Sequence, residues 1–139
     1  MSARSNGREA ALQMLFAIDA AGHAGTSVIH DFWREFPGDA EGRPYADELV
    51  RGVCTDPKSL DDLITQASQN WRLERMSRID RNILRLGTWE LLNKEDVPVA
   101  VIIDEAVELA KRYGNENSSS FINGVLNRVA QDHAKPRSP

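Results

Sequence analysis

Cysteine is nearly missing from this chain: among 139 residues there is one, Cys54. A lone thiol closes no internal disulfide, so a stapled secreted scaffold is excluded. Beside Gly52 and Val53, Cys54 reads as a small buried residue rather than a reactive one. Long apolar runs are missing too. No stretch approaches the roughly 18 apolar residues of a membrane span. The opening MSARSNGREAAL lacks the apolar core and cleavage pattern of a signal peptide, and a cytoplasmic location fits both absences. Histidine is scarce, and His23, His30 and His133 lie in unrelated segments. There is no His-Glu-x-x-His, no paired cysteine and no glycine-rich phosphate loop. The acid pairs Asp61-Asp62 and Asp104-Glu105 point in different directions on a helix. Asp104 or Glu105 reads better as an acid near a helix start, where the dipole favours it. No catalytic residue, metal or cofactor is therefore expected.

Glycine and proline are sparse inside the periodic segments, where Leu, Ala, Arg and Glu favour helix. Seven helical segments and no strands follow, enough for one domain with a proper core. The first runs from about Asn6 to Ala21 on Leu12, Leu15 and Phe16, and ends at Gly22 and Gly25. The second covers Ser27 to Phe36, capped by Thr26 or Ser27; Pro37, Gly38, Gly42 and Pro44 then form a loop. The third spans Tyr45 to Thr55. Asp56 and Pro57 begin the fourth as cap and first residue, ahead of Leu60, Leu63, Ile64 and Ala67. The fifth, about Ser77 to Asn93, has two nearly merged apolar sides and reads as the central helix. Val97-Pro98 opens the sixth, which stops at Gly114. Asn117 or Ser118 caps the seventh, with Phe121, Val125, Leu126 and Val129 at helical spacing. Frayed ends are expected at about residues 1–5 and 134–139.

Asn123-Gly124 breaks the local rules. The pair favours a turn, yet it sits inside an unbroken helical pattern and is kept helical. Glycine there costs about 1 kcal/mol against alanine. A close helix crossing with no room for a Cβ would explain it, with Asn123 buried and bonded to a neighbouring backbone group.

The net charge of −4 disfavours a nucleic-acid ligand until it is divided. Residues 19–70 hold ten acids and four bases. Farther on, Arg72, Arg75, Arg78, Arg81 and Arg85 crowd into one stretch with only Glu74 and Asp80. That is either one basic face or a solvated face of i,i+4 pairs. On the residues alone the second is favoured. Arg4 and Arg8 flank the first helix start, either as a solubilising arm or as phosphate contacts. Phe16 reads as core packing on the residues alone, and Phe121 as either the anchor of the seventh helix or a partly exposed platform for a base.

Three motifs lie in order along the chain. They are Arg8-Glu9-Ala10-Ala11-Leu12-Gln13-Met14-Leu15-Phe16, then Ile79-Asp80-Arg81-Asn82-Ile83-Leu84-Arg85 with Trp89-Glu90-Leu91, then IDEAVELAKRYG followed by FINGVL. Together they resemble the NusB family of helical RNA-binding antitermination factors. The resemblance implies an all-α fold of two small helical bundles packed as one domain over residues 1–139. It implies binding to single-stranded boxA RNA of ribosomal RNA leaders together with NusE, a small-subunit ribosomal protein. Other Nus factors and RNA polymerase would complete the complex, and termination would be suppressed. Matched by position, Arg8 falls on an RNA-contacting arginine, with Arg4 beside it. Asn117, Ser118 and Phe121 flank the RNA path, and Arg85 is a further basic candidate. Phe16 and Asp80 fall on positions that meet NusE. Some family members pair, so a homodimer is one implied assembly. Alternatives are a NusB-like domain of a ribosomal-RNA cytosine methyltransferase, or a helical interaction module without RNA binding.

Overall fold

In the computed structural model, residues 2–21, 25–35, 40–69, 75–134 and 136 are described. Among them are seven α-helices and no strand. The chain divides into two compact units, Met1–Thr55 and Asp56–Pro139. The first holds α1 (Ala3–Ala21), α2 (Gly25–Glu35) and α3 (Arg43–Thr55). The second holds α4 (Pro57–Ala67), α5 (Arg78–Asn93), α6 (Val99–Tyr113) and α7 (Ser118–His133). None of the described helices is long and apolar enough to cross a membrane.

In the first unit, α1 starts three residues earlier than its apolar spacing predicts. Ser2 is the cause: its hydroxyl accepts from the Ser5 N–H at 3.0 Å and its carbonyl accepts from the Asn6 N–H at 3.0 Å. A side-chain oxygen there satisfies amides that a helix start leaves open, so residues 3–5 are helical rather than frayed. Leu12, Leu15, Leu49, Val50 and Val53 form the core between α1 and α3, with Val28, Ile29 and Trp33 of α2 beside them. Gly7 and Gly42 let the backbones touch; a Cβ on Gly7 would lie 2.8 Å from the Gly42 carbonyl oxygen. Trp33 donates from Nε1 to Asp47 Oδ1 at 2.6 Å, tying α2 to α3. Phe16, the last of the predicted apolar set, is instead 39% exposed. Cys54, read as buried, is half-buried.

The second unit is built around α5, which packs on α4, α6 and α7 as its two apolar sides predict. Ile83, Leu84, Leu86 and Leu91 meet Ile64, Ile102, Ala106, Ile122 and Leu126 in the core. Asp56 caps α4, its carboxylate accepting from the Ser59 N–H at 3.2 Å, with Pro57 next in line. The α6 start carries no acid in its first turn; Asp104 is exposed farther along. Asn123 and Gly124 are helical, but the predicted crossing is elsewhere. Gly124 is exposed with nothing within 4 Å of an added Cβ, and Asn123 is exposed too. The tight crossing is at Gly87, where a Cβ would sit 2.7 Å from Leu126 Cδ1. The expectations for Gly22, His23, Phe36, Pro37, Gly38 and Arg72, and for Lys135 and residues 137–139 of the tail, lie outside the described residues.

Candidate functional site

Ser77 caps α5, its hydroxyl accepting from the Asp80 N–H at 3.1 Å. Asp80 thereby sits in the first helical turn, where the helix dipole favours a carboxylate. It is 8% exposed, and its Oδ1 is buried without a hydrogen-bond partner among the described residues. A buried anionic acceptor without a donor is costly within the fold. Its place beside the helix start keeps that carboxylate at the edge of the surface rather than on it.

The α6–α7 loop brings the other wall. Gly114 ends α6 in an extended conformation, and a Cβ there would lie 2.5 Å from Ser118 Oγ. That close approach lets Ser118 turn its hydroxyl inward to accept from the Asn115 N–H at 3.0 Å. Asn115 Oδ1 in turn accepts from the Asn117 N–H at 2.9 Å, an Asx-type turn that sets the loop. Asn117 precedes α7 but makes no side-chain cap, so neither predicted capping group bonds the helix start. Its side chain stays exposed.

These elements enclose an open hollow of about 350 Å³ lined by Arg75, Met76, Ser77, Asp80, Asn115, Asn117 and Phe121. Phe121 is half-buried and offers a ring to the space. The hollow thus combines an aromatic face, two amides, a carboxylate acceptor and an exposed guanidinium at Arg75. Such a set suits stacking and hydrogen bonding.

The structure brings Asp80, Asn117 and Phe121 together, although sequence matching places Asp80 on a different partner from the other two. It corrects Ser118, which is 1% exposed and closes the loop from inside. It corrects Arg85 as well: Nε and Nη2 donate to both carboxylate oxygens of Asp61, at 2.8 and 3.0 Å, and Nη1 donates to Asn82 Oδ1 at 3.2 Å. With the arginine side chain 13% exposed, that fork braces α5 on α4 and is not an open cation. Of the predicted basic face, Arg75 and Arg78 are exposed among the described residues. Met76 and Asn115 were not legible as lining residues, because only the fold brings the α5 approach to the α6–α7 loop.

In the first unit, Arg4 and Arg8 both lie over the Tyr45 ring, at 4.9 and 5.4 Å from its centroid. Arg8 is 3% exposed and presents little surface to a ligand, whereas Arg4 is half-buried. Phe16 lies exposed farther along the same helix.

The fold defines a class: a small all-helical protein with an open hollow lined by an aromatic ring and two amides. The chain belongs to the NusB family, whose profile matches residues 5–131. It is 64% identical over 132 residues to the transcription antitermination protein NusB of Sorangium cellulosum, covering 95% of this chain and 94% of that one. The Myxococcus xanthus protein of the same name is 46% identical, covering 98% and 100%. Among solved structures, NusB from T. maritima superposes with a TM-score of 0.87 at 39% identity, covering 95% and 93%. A chain in a structure of antitermination factors NusB and NusE with double-stranded RNA superposes at 0.86, with 25% identity, covering 96% and 99%.

Proposed function

We propose that this chain is an RNA-binding transcription antitermination factor, acting in the cytoplasm with a NusE-type ribosomal protein and without catalysis of its own. The hollow at the head of α5 and α7 carries this reading. Phe121 supplies a stacking face for an unpaired base, and Asn117 supplies amide donors and acceptors for a base edge or phosphate. Asp80 adds negative charge at the edge of the hollow, which draws a basic protein partner by its field. In the first unit, Arg4 adds a phosphate contact with Arg8 behind it, and Phe16 adds an aromatic anchor for the partner. The RNA class proposed is single-stranded boxA of ribosomal RNA leaders. Complex formation with other Nus factors and RNA polymerase follows from the same reading.

The test is a titration of the purified chain with boxA RNA, single-stranded and as a duplex, with and without NusE. Binding of the single strand that strengthens with NusE and weakens with salt is expected. No binding of either RNA in either condition overturns the proposal. Duplex binding that exceeds single-strand binding overturns the assignment of RNA class.

A further inference from the structure

Gly124 has no reason within the described chain to be glycine. It lies inside α7, exposed, with nothing within 4 Å of where a Cβ would stand. A glycine inside a helix weakens it relative to alanine, and here no intramolecular contact demands one. Gly87 shows the contrast, since Leu126 fills its Cβ position.

The position of Gly124 on the helix is what matters. At 100° per residue, Asn117, Phe121, Gly124 and Arg128 fall on one stripe of α7. Ile122, Val125, Leu126 and Val129 are buried on another side. The stripe begins in the hollow, which Asn117 and Phe121 line, passes the bare backbone at Gly124 and ends at Arg128. Arg128 is exposed, and its Nε donates to Asp132 at 2.9 Å on the surface. No acid stands between Asn117 and Arg128 on the stripe; the next position, one turn beyond, is Asp132, the partner of Arg128. An acid-free stretch with a bare glycine between an aromatic ring and a guanidinium suits a sugar–phosphate backbone running along the helix.

We propose that the RNA track does not end at Phe121 but continues along α7 to Arg128. Gly124 is the point where the RNA backbone lies against the helix too closely for a Cβ. This rests on the RNA-binding reading above and adds a specificity of path to it. Glycine is the residue that permits such close backbone approach.

Gly124→Ala tests it because stability and binding move in opposite directions. The open space around the site makes alanine sterically free in the unbound chain, so Tm rises by roughly 3–5 °C. The added methyl meets the RNA, so affinity for single-stranded boxA RNA falls by about tenfold, the size of a modest overpacking clash. Arg128→Gln gives a second readout: the log–log salt slope flattens by about 0.7, the value of one single-strand phosphate contact. A Gly124→Ala protein that is more stable and binds RNA as the unsubstituted chain does overturns the inference. So does one that loses NusE affinity while its own RNA affinity is kept, since the stripe would then face protein. If the unsubstituted chain binds no RNA, the broader functional reading fails first, and that result is seen before any variant is compared.

Discussion

At the scale of single residues, the arginines divide by what already holds them. Arg85 has the look of an RNA contact in sequence because it follows four other arginines at helical spacing. Its guanidinium is consumed by the two-pronged bond to Asp61. Arg85→Ala leaves a part-buried carboxylate without its donors and should destabilise the chain by about 2 kcal/mol. Urea denaturation measures this, and RNA affinity of the folded variant should be unchanged. Arg8 has moved in the same direction. Being 3% exposed over Tyr45, it contributes packing of its stem and a cation–π contact. Arg8→Ala should therefore lower stability by roughly 1–2 kcal/mol. Arg4→Ala should lower it less and flatten the salt dependence of RNA binding by about 0.7 in log–log slope. A salt slope changed by Arg8→Ala and untouched by Arg4→Ala would reverse the two roles.

At the scale of elements, helix existence and order were readable, and the boundaries depended on caps. Ser77 and the Asp56-Pro57 pair announce their helices because a side-chain oxygen before an apolar run answers a fixed need of the helix start. Ser2 does the same for α1 but precedes no apolar residue of the core, so periodicity alone begins that helix too late. The α7 start misleads in the opposite way, since Ser118 spends its hydroxyl on the loop. The Asp56 cap has a consequence for pH. The Ser59 hydroxyl and then the Ser59 N–H hold its carboxyl below the usual aspartate value, against an opposing desolvation and with a lesser contribution from Lys58. A folded-state pKa below the unfolded one means stability that is fully present above the unfolded value and is lost as pH falls through the folded one. The stability advantage of the native chain over Asp56→Asn should be constant from about pH 7 to about pH 5 and shrink below about pH 4. A difference that stays constant into the acid range would show that the cap works without its charge.

At the scale of the whole molecule, the proposed contacts fall in both units: Arg4 and Phe16 in the first, Asp80, Asn117 and Phe121 in the second. Sequence matching named the residues but not their company. Asp80 reads as a surface acid because charged residues are seldom buried, and its place in the hollow depends on a loop some 35 positions onward (the α6–α7 turn), which no local pattern encodes. Its burial also changes the way to test it. A lysine at Asp80 would put an ammonium into a helix start and beside Arg75, and the fold itself would suffer. Asp80→Asn keeps the shape and removes the charge. Phe16→Ala has no such difficulty, since a side chain 39% exposed leaves no deep cavity when cut back. Both variants should remain folded, with Phe16→Ala within about 0.5 kcal/mol of the unsubstituted stability. If one basic partner engages both units, Phe16→Ala should weaken NusE binding by roughly thirtyfold, as loss of an aromatic anchor does. Asp80→Asn should slow association and reduce its salt dependence, because the field that steers a basic protein is diminished. The RNA affinity of the free chain should hold in both, and the gain that NusE brings should be lost in both. Equilibrium titration with NusE and stopped-flow association distinguish the two effects. An Asp80→Asn protein that binds NusE at the unsubstituted rate and affinity would remove the hollow from the protein interface and leave it to RNA alone.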